Sequence, residues 1–272
     1  MMGKLFKHEF KNTARRYWYM YAIILSLTLF CKILDIIQLN VNSKYLNPPL
    51  YISVTFLIIG LFFLVLLTGI FSIIRFYREM VGNQAYITYT LPVEVWKHIF
   101  VRLTVSIFWI IISVAVCVIS GLIMGAGHDF LGNFLKGFSS MLSSIKTTQQ
   151  VLFIIQLILS IIINTASSLM MFYMSIAIGQ LFNRNKAIAA AGAYVGCNMI
   201  MEVFTTLLFV LTAKRIPWIL DYNDIGFGAE YFNSGAEFVN SVMLLTGLVN
   251  ILFLVTFFLI TERLLSTKLN IE

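Results

Sequence analysis

The chain has 272 residues, 60% of them hydrophobic and 11% charged, with a mean hydropathy of +0.90 and a formal net charge of +7. Its 19 Lys and Arg and 12 Asp and Glu cannot cover a soluble globule of this size. The composition therefore excludes a soluble enzyme, a disordered chain and a nucleic-acid-binding module, since basic charge serves nucleic acid only when gathered on one presented face.

Segment 1–17 opens with an apolar stripe of Met2, Phe6, Phe10, Ala14 and Tyr17, with Leu5 beside it. The i, i+4 spacing predicts a helix, and the lysines and arginines fall mostly on its other side, the pattern of a helix lying in a membrane interface. A bilayer core of about 30 Å needs about 20 apolar residues in a helix. Six stretches reach that length, at 18–37, 51–74, 99–124, 151–178, 187–211 and 238–260. No small-residue cleavage site follows the first, so it is expected to be a span and not a signal peptide. Lys32 and Asp35 lie one turn apart near the outer end of span one and fit a snorkelling pair.

The loop over 75–98 is long for a connection between packed spans. Gly82 breaks it, and Pro92 fits the first turn of the helix leading into span three. A short helix across this end would present side chains to a soluble partner. Segment 130–145 repeats the amphipathic pattern, with Phe130, Phe134, Phe138, Met141 and Ile145 in one row, and is expected to form an external amphipathic helix. Segment 214–237 mixes Pro217, Trp218, Tyr222, Phe227, Tyr231 and Phe232 with glycines and four acids. It reads either as short re-entrant helices or as an external loop with interfacial aromatics.

The cations set the orientation. Thirteen of the 19 lie in segment 1–17, the 75–98 loop and its edges, the turn between spans four and five, and the tail. With the acids included, that side carries a net +8, the other side 0, and Glu202 inside a span supplies −1. The positive-inside rule places both termini in the cytoplasm. The expected fold is thus an all-α polytopic membrane protein with one transmembrane domain of six helices in the plasma membrane.

Glu202 is the one acid deep in a span, where a carboxyl faces protein or water by default. Asn198, Glu202, Thr205 and Thr206 share a face of span five. Thr55, Thr68 and Ser72 on span two, with Gln156 and Asn164 on span four, complete a candidate polar path. Lining a path and bonding between helices for packing are both open to Glu202. Gly192 and Gly196 sit four apart among alanines, a spacing that lets helices approach closely and marks a candidate subunit contact. The three cysteines lie within spans and imply no disulfide framework. No P-loop, HExxH or G-x-S-x-G motif occurs, and no His/Cys/acid cluster has metal-ligand spacing, so no catalysis is expected of this chain.

Three features carry a resemblance. The chain opens Met2-Gly-Lys-Leu-Phe-Lys-His-Glu-Phe-Lys directly before span one. The loop reads Arg75-Phe-Tyr-Arg, then Tyr86-Ile-Thr-Tyr-Thr-Leu-Pro92-Val. Ile176-Ala-Ile-Gly179-Gln-Leu-Phe182 precedes a short basic turn and an alanine-rich span five. In these the sequence resembles the six-span permease subunits of ABC-2-type transporters (type V fold), common in low-GC Gram-positive bacteria. Gln84 and Ala85 stand where family members often carry an acid and a glycine.

The resemblance implies a permease paired with a second subunit, identical or homologous, and two cytoplasmic ATPase subunits that hold the ATP and Mg; this chain itself would carry no cofactor. It implies a coupling helix around 79–91, drawing on Glu79, Gly82, Asn83, Gln84, Ala85, Tyr86, Thr90, Leu91 and Pro92. Asn183 and Arg184 would make a second, smaller contact, spans two and five would line the route, and 214–237 would form an outer gate. Membrane lipid is the remaining partner. Two other functions compete with an exporter of amphipathic or hydrophobic molecules. One is a non-transporting scaffold or sensor that uses the same loop. The other is an ion-coupled carrier centred on Glu202.

Overall fold

The structure, a computed structural model, describes residues 2–41, 47–82, 85–90, 93–126, 132–133, 135–137, 139–140, 148–182, 184–213 and 229–267. Seven helices account for most of these residues: α1 (Met2–Val41), α2 (Asn47–Met80), α3 (Ala85–Thr90), α4 (Val95–Gly125), α5 (Thr148–Gly179), α6 (Lys186–Ala213) and α7 (Ala229–Thr267). No strand occurs among the described residues. All but α3 are long and apolar enough to cross a bilayer, six in all, and the chain reads as a multi-pass membrane protein.

Two boundaries differ from the sequence expectation. The amphipathic segment 2–17 and span one are a single helix, α1, of 40 residues. Nothing between them interrupts it, because no Pro or Gly follows Gly3 until the helix ends. The helix that holds the last span likewise begins at Ala229, inside the stretch expected to form the outer gate; Ser234-Gly-Ala does not break it. Residues 214–228 of that stretch lie outside the described residues, as does much of the expected external helix over 130–145, whose described residues are helical.

The chain divides into two compact units. The first comprises Met1–Phe76 and Trp96–Ile145, built on α1, most of α2 and α4. The second comprises Tyr77–Val95 and Lys146–Glu272, built on α3, α5, α6 and α7.

In the first unit the buried face of α1 is polar. Glu9, Thr13, Tyr17, Tyr21, Thr28 and Asp35 are buried, with Ile24 and Cys31 between them. Their spacing of three and four residues puts them on one face. Ile23, Phe30 and Ile33 point outward, as do Phe62 and Phe63 on α2. This is the arrangement a bilayer favours. Lipid tails are as apolar as leucine, so helices gain little by hiding apolar side chains from them and associate through packing and hydrogen bonds.

The apolar stripe expected to lie on lipid also turns inward. Leu5, Phe6 and Ala14 pack against a core of Tyr17, Tyr21, Ile24, Leu64, Val101, Val105, Trp109 and Val116. In the second unit α5 supplies the core with Leu169, Met170, Met171, Tyr173, Met174 and Ala177, packed with α7, whose Phe257, Thr261 and Leu265 are buried. Gln156 Nε2 donates to the Asn240 carbonyl at 3.0 Å, fastening α5 to α7.

Most span hydroxyls bond back to a carbonyl of their own helix, as Thr28 does to Ile24, Thr68 to Leu64, Ser175 to Met171 and Thr261 to Phe257. The helix thereby satisfies its polar side chains without water.

Candidate functional site

The expected coupling surface falls in the second unit. α2 closes with the Val81 and Gly82 amides both donating to the Tyr77 carbonyl, at 3.0 and 2.8 Å, and the Ala85 amide donates to the Gly82 carbonyl at 2.8 Å. These bonds turn the chain into α3. A Cβ at Gly82 would stand 3.2 Å from the Arg78 Cα and carbonyl oxygen, so the turn is tight enough to favour glycine. Ala85 is fully buried, Glu79 is half-buried, Thr90 is exposed, and Tyr86 is 68% exposed. Among its described side chains, α3 thus buries one small residue and presents an aromatic ring. Asn83, Gln84, Leu91 and Pro92 lie outside the described residues.

The second expected contact is the turn between α5 and α6. Asn183 lies outside the described residues, and Arg184 is exposed. Asn185 adopts φ 63°, a left-handed conformation that asparagine tolerates better than most side chains. Its carbonyl accepts the Ile188 and Ala189 amides at 3.0 and 3.1 Å, starting α6.

This hairpin closes on Gly179. A Cβ there would come within 2.7 Å of the Ala190 Cβ and of the Lys186 carbonyl oxygen. Phe172 and Tyr194 stack above it with centroids 4.3 Å apart. Gly179→Val should force α5 and α6 apart and destabilise the protein by about 1–3 kcal/mol. Heating the detergent-purified variant beside the parent and following loss of the monodisperse peak tests this; an unchanged midpoint would refute the close approach.

The residues expected to share a polar path are placed differently from one another. Thr68 and Ser72 are buried in the first unit. Thr55 is exposed and bonds back to the Tyr51 carbonyl at 2.8 Å. On α6, Asn198, Glu202 and Thr206 are exposed, and Thr205 bonds back to Met201 and Glu202 carbonyls. Gly192 and Gly196 are also exposed, and a Cβ at either would meet no atom within 4 Å. Neither glycine packs closely against another helix among the described residues.

Sequence reasoning missed the polar centre of the first unit. Glu9 pairs with Arg75 of α2, and Arg102 Nε of α4 lies 3.6 Å from the same carboxylate oxygen. All three side chains are about nine-tenths buried. Two turns along α1, Trp109 stacks on Tyr17 at 4.8 Å and on Phe10 at 5.1 Å, and its Nε1 donates to Thr13 Oγ1 at 3.0 Å. Tyr17 OH lies 3.3 Å from Ser72 Oγ, and Tyr21 OH lies 3.0 Å from Ser113 Oγ, which is 2.8 Å from Thr68 Oγ1. Three helices are bonded together through these groups. The i, i+4 recurrence of Glu9, Thr13, Tyr17 and Tyr21 was the available signal.

At the far end of α1, Lys32 pairs with Asp35 at 2.8 Å. It also donates to the Met124 and Ala126 carbonyls, neutralising the C-terminal end of α4.

Comparison with protein-family models, curated proteins and solved structures finds no match. Among the described residues no three His, Cys, Asp or Glu side chains gather as metal ligands.

Proposed function

We propose that the chain is the membrane permease subunit of an ATP-driven exporter, moving an amphipathic or hydrophobic molecule out of the cell. The observation that carries this reading is a six-span helical chain with a short helix, α3, set between two spans and presenting Tyr86, in a sequence that has no nucleotide-binding motif. A chain of this kind needs its energy from a soluble partner. Two cytoplasmic ATPase subunits would dock on the α2–α3 turn and on Arg184, with a second permease subunit completing the route.

The exposed Gly192 and Gly196 support close approach of a second helix, and the exposed Asn198, Glu202 and Thr206 support a polar face on that side of α6. Both termini would be cytoplasmic, as the cation distribution argues.

The test is co-purification. Expressed with its neighbouring genes and extracted in detergent, the protein should retain an ATPase at a stoichiometric ratio. Tyr86→Ala should reduce the retained ATPase about tenfold without lowering the yield of the membrane protein, the usual weight of an aromatic anchor at an interface. If the parent protein never retains an ATPase, the exporter reading fails, and a scaffold or sensor role becomes the better account of the same loop.

A further inference from the structure

The first four turns of α1 carry five cations, and none of them is ion-paired among the described residues. Lys4, Lys7, Lys11 and Arg15 recur at three- and four-residue spacing along one face, Arg16 lies about 100° round the helix from Arg15, and all five are exposed. Glu9, Thr13 and Tyr17 occupy the opposite, buried face. α1 contains only two carboxylates, Glu9 and Asp35, and both are buried and paired with cations. The ridge is therefore uncompensated along its own helix.

It is also continuous with a membrane-spanning helix. Trp18 and Tyr19, 72% and 65% exposed, follow it at once, and apart from Ser26 the exposed side chains after them, as far as Ile37, are apolar. Exposed Trp and Tyr at this position mark the membrane–water boundary.

We infer that this end of α1 binds the headgroups of anionic phospholipids. Geometry decides which cations do so. With Trp18 at the boundary and a rise of 1.5 Å per residue, Arg15 and Arg16 stand about 3–5 Å above it and Lys11 about 10 Å. Lys7 and Lys4 stand about 16 and 21 Å above it. The headgroup layer is about 5–8 Å deep and the screening length about 8 Å, so Arg15, Arg16 and Lys11 reach lipid phosphates while Lys4 and Lys7 project beyond them. The long side chains of Arg and Lys close the remaining gap by bending toward the headgroups.

The inference uses only the bilayer-spanning character of α1, so its failure and that of the exporter reading are separate results.

Native mass spectrometry of the full-length detergent-purified protein, titrated with phosphatidylglycerol or phosphatidylcholine, tests it. The parent should retain phosphatidylglycerol at least fivefold better, the worth of one cation at an anionic surface. Raising the ammonium acetate concentration should erode that preference, a readout that needs no variant. Lys11→Gln/Arg15→Gln/Arg16→Gln should abolish it. Lys11→Arg/Arg15→Lys/Arg16→Lys should preserve it, and so should Lys4→Gln/Lys7→Gln. Equal retention of the two lipids by the parent overturns the inference, as does a preference that survives the triple glutamine variant or is insensitive to salt. A Lys4→Gln/Lys7→Gln variant that loses as much as the triple overturns the placement of the boundary at Trp18, and with it this site.

Discussion

Glu9→Ala is expected to destabilise the protein by about 3–5 kcal/mol, the cost of removing one partner from a buried ion pair. Glu9 is the carboxylate shared by Arg75 and Arg102, so its loss leaves two buried guanidinium groups facing each other where one anion stood. The three residues belong to three helices, and each charge is buried too deeply for water to replace the pairing. The measurement is thermal or SDS-induced unfolding of the detergent-purified protein.

A second variant separates charge from packing. Glu9→Leu/Arg75→Met removes one charge of each sign and should recover part of the loss, because a buried pair exchanged for apolar groups of similar volume is often neutral. Full loss in the double variant would mean that shape, and not charge, holds the three helices here. A Glu9→Ala protein as stable as its parent would remove Glu9 from the account altogether.

Trp109→Ala should cost a similar amount, about 3–5 kcal/mol, as expected when a large buried aromatic is deleted from a core. Trp109 is 5% exposed and lies between Phe10 and Tyr17, with Tyr21 and Phe108 near its rim. Its indole N–H also satisfies the buried Thr13 hydroxyl. Trp109→Phe keeps much of the stacking and loses that bond, so it should cost about 1–2 kcal/mol. The difference between the two variants in an unfolding titration isolates the volume of the ring. Equal midpoints for both would show that the hydrogen bond, not the stack, is what matters.

Much of this architecture was legible in the sequence. The six spans follow from apolar runs whose length matches the hydrocarbon thickness, a match that any bilayer imposes. Gly82 as a break after span two follows from local chain chemistry. The candidate site was less legible. Thr68 and Ser72 looked like path-lining residues because a hydroxyl in a span has no other obvious purpose, yet both are bonded within the first unit, to Ser113 and Tyr17. Glu9 looked like one more cytoplasmic charge, since its two partners lie 66 and 93 positions away in the chain.

The sequence by itself determined that this is a helical membrane protein, how many helices are long enough to span, and which ends of them carry the positive charge. Those properties depend on composition along a single helix, and the bilayer reads them one segment at a time. Only the tertiary structure decided which way each helix turns. The segment 2–17 has an apolar stripe and a basic ridge, and periodicity cannot say whether lipid or protein takes the stripe. The structure gives the stripe and the polar row of α1 to α2 and α4, leaving the basic ridge and the apolar flank of the span outside. In a solvent as apolar as the helices themselves, hydrogen bonds and ion pairs between distant residues choose the orientation, and those pairs exist only once the helices have met.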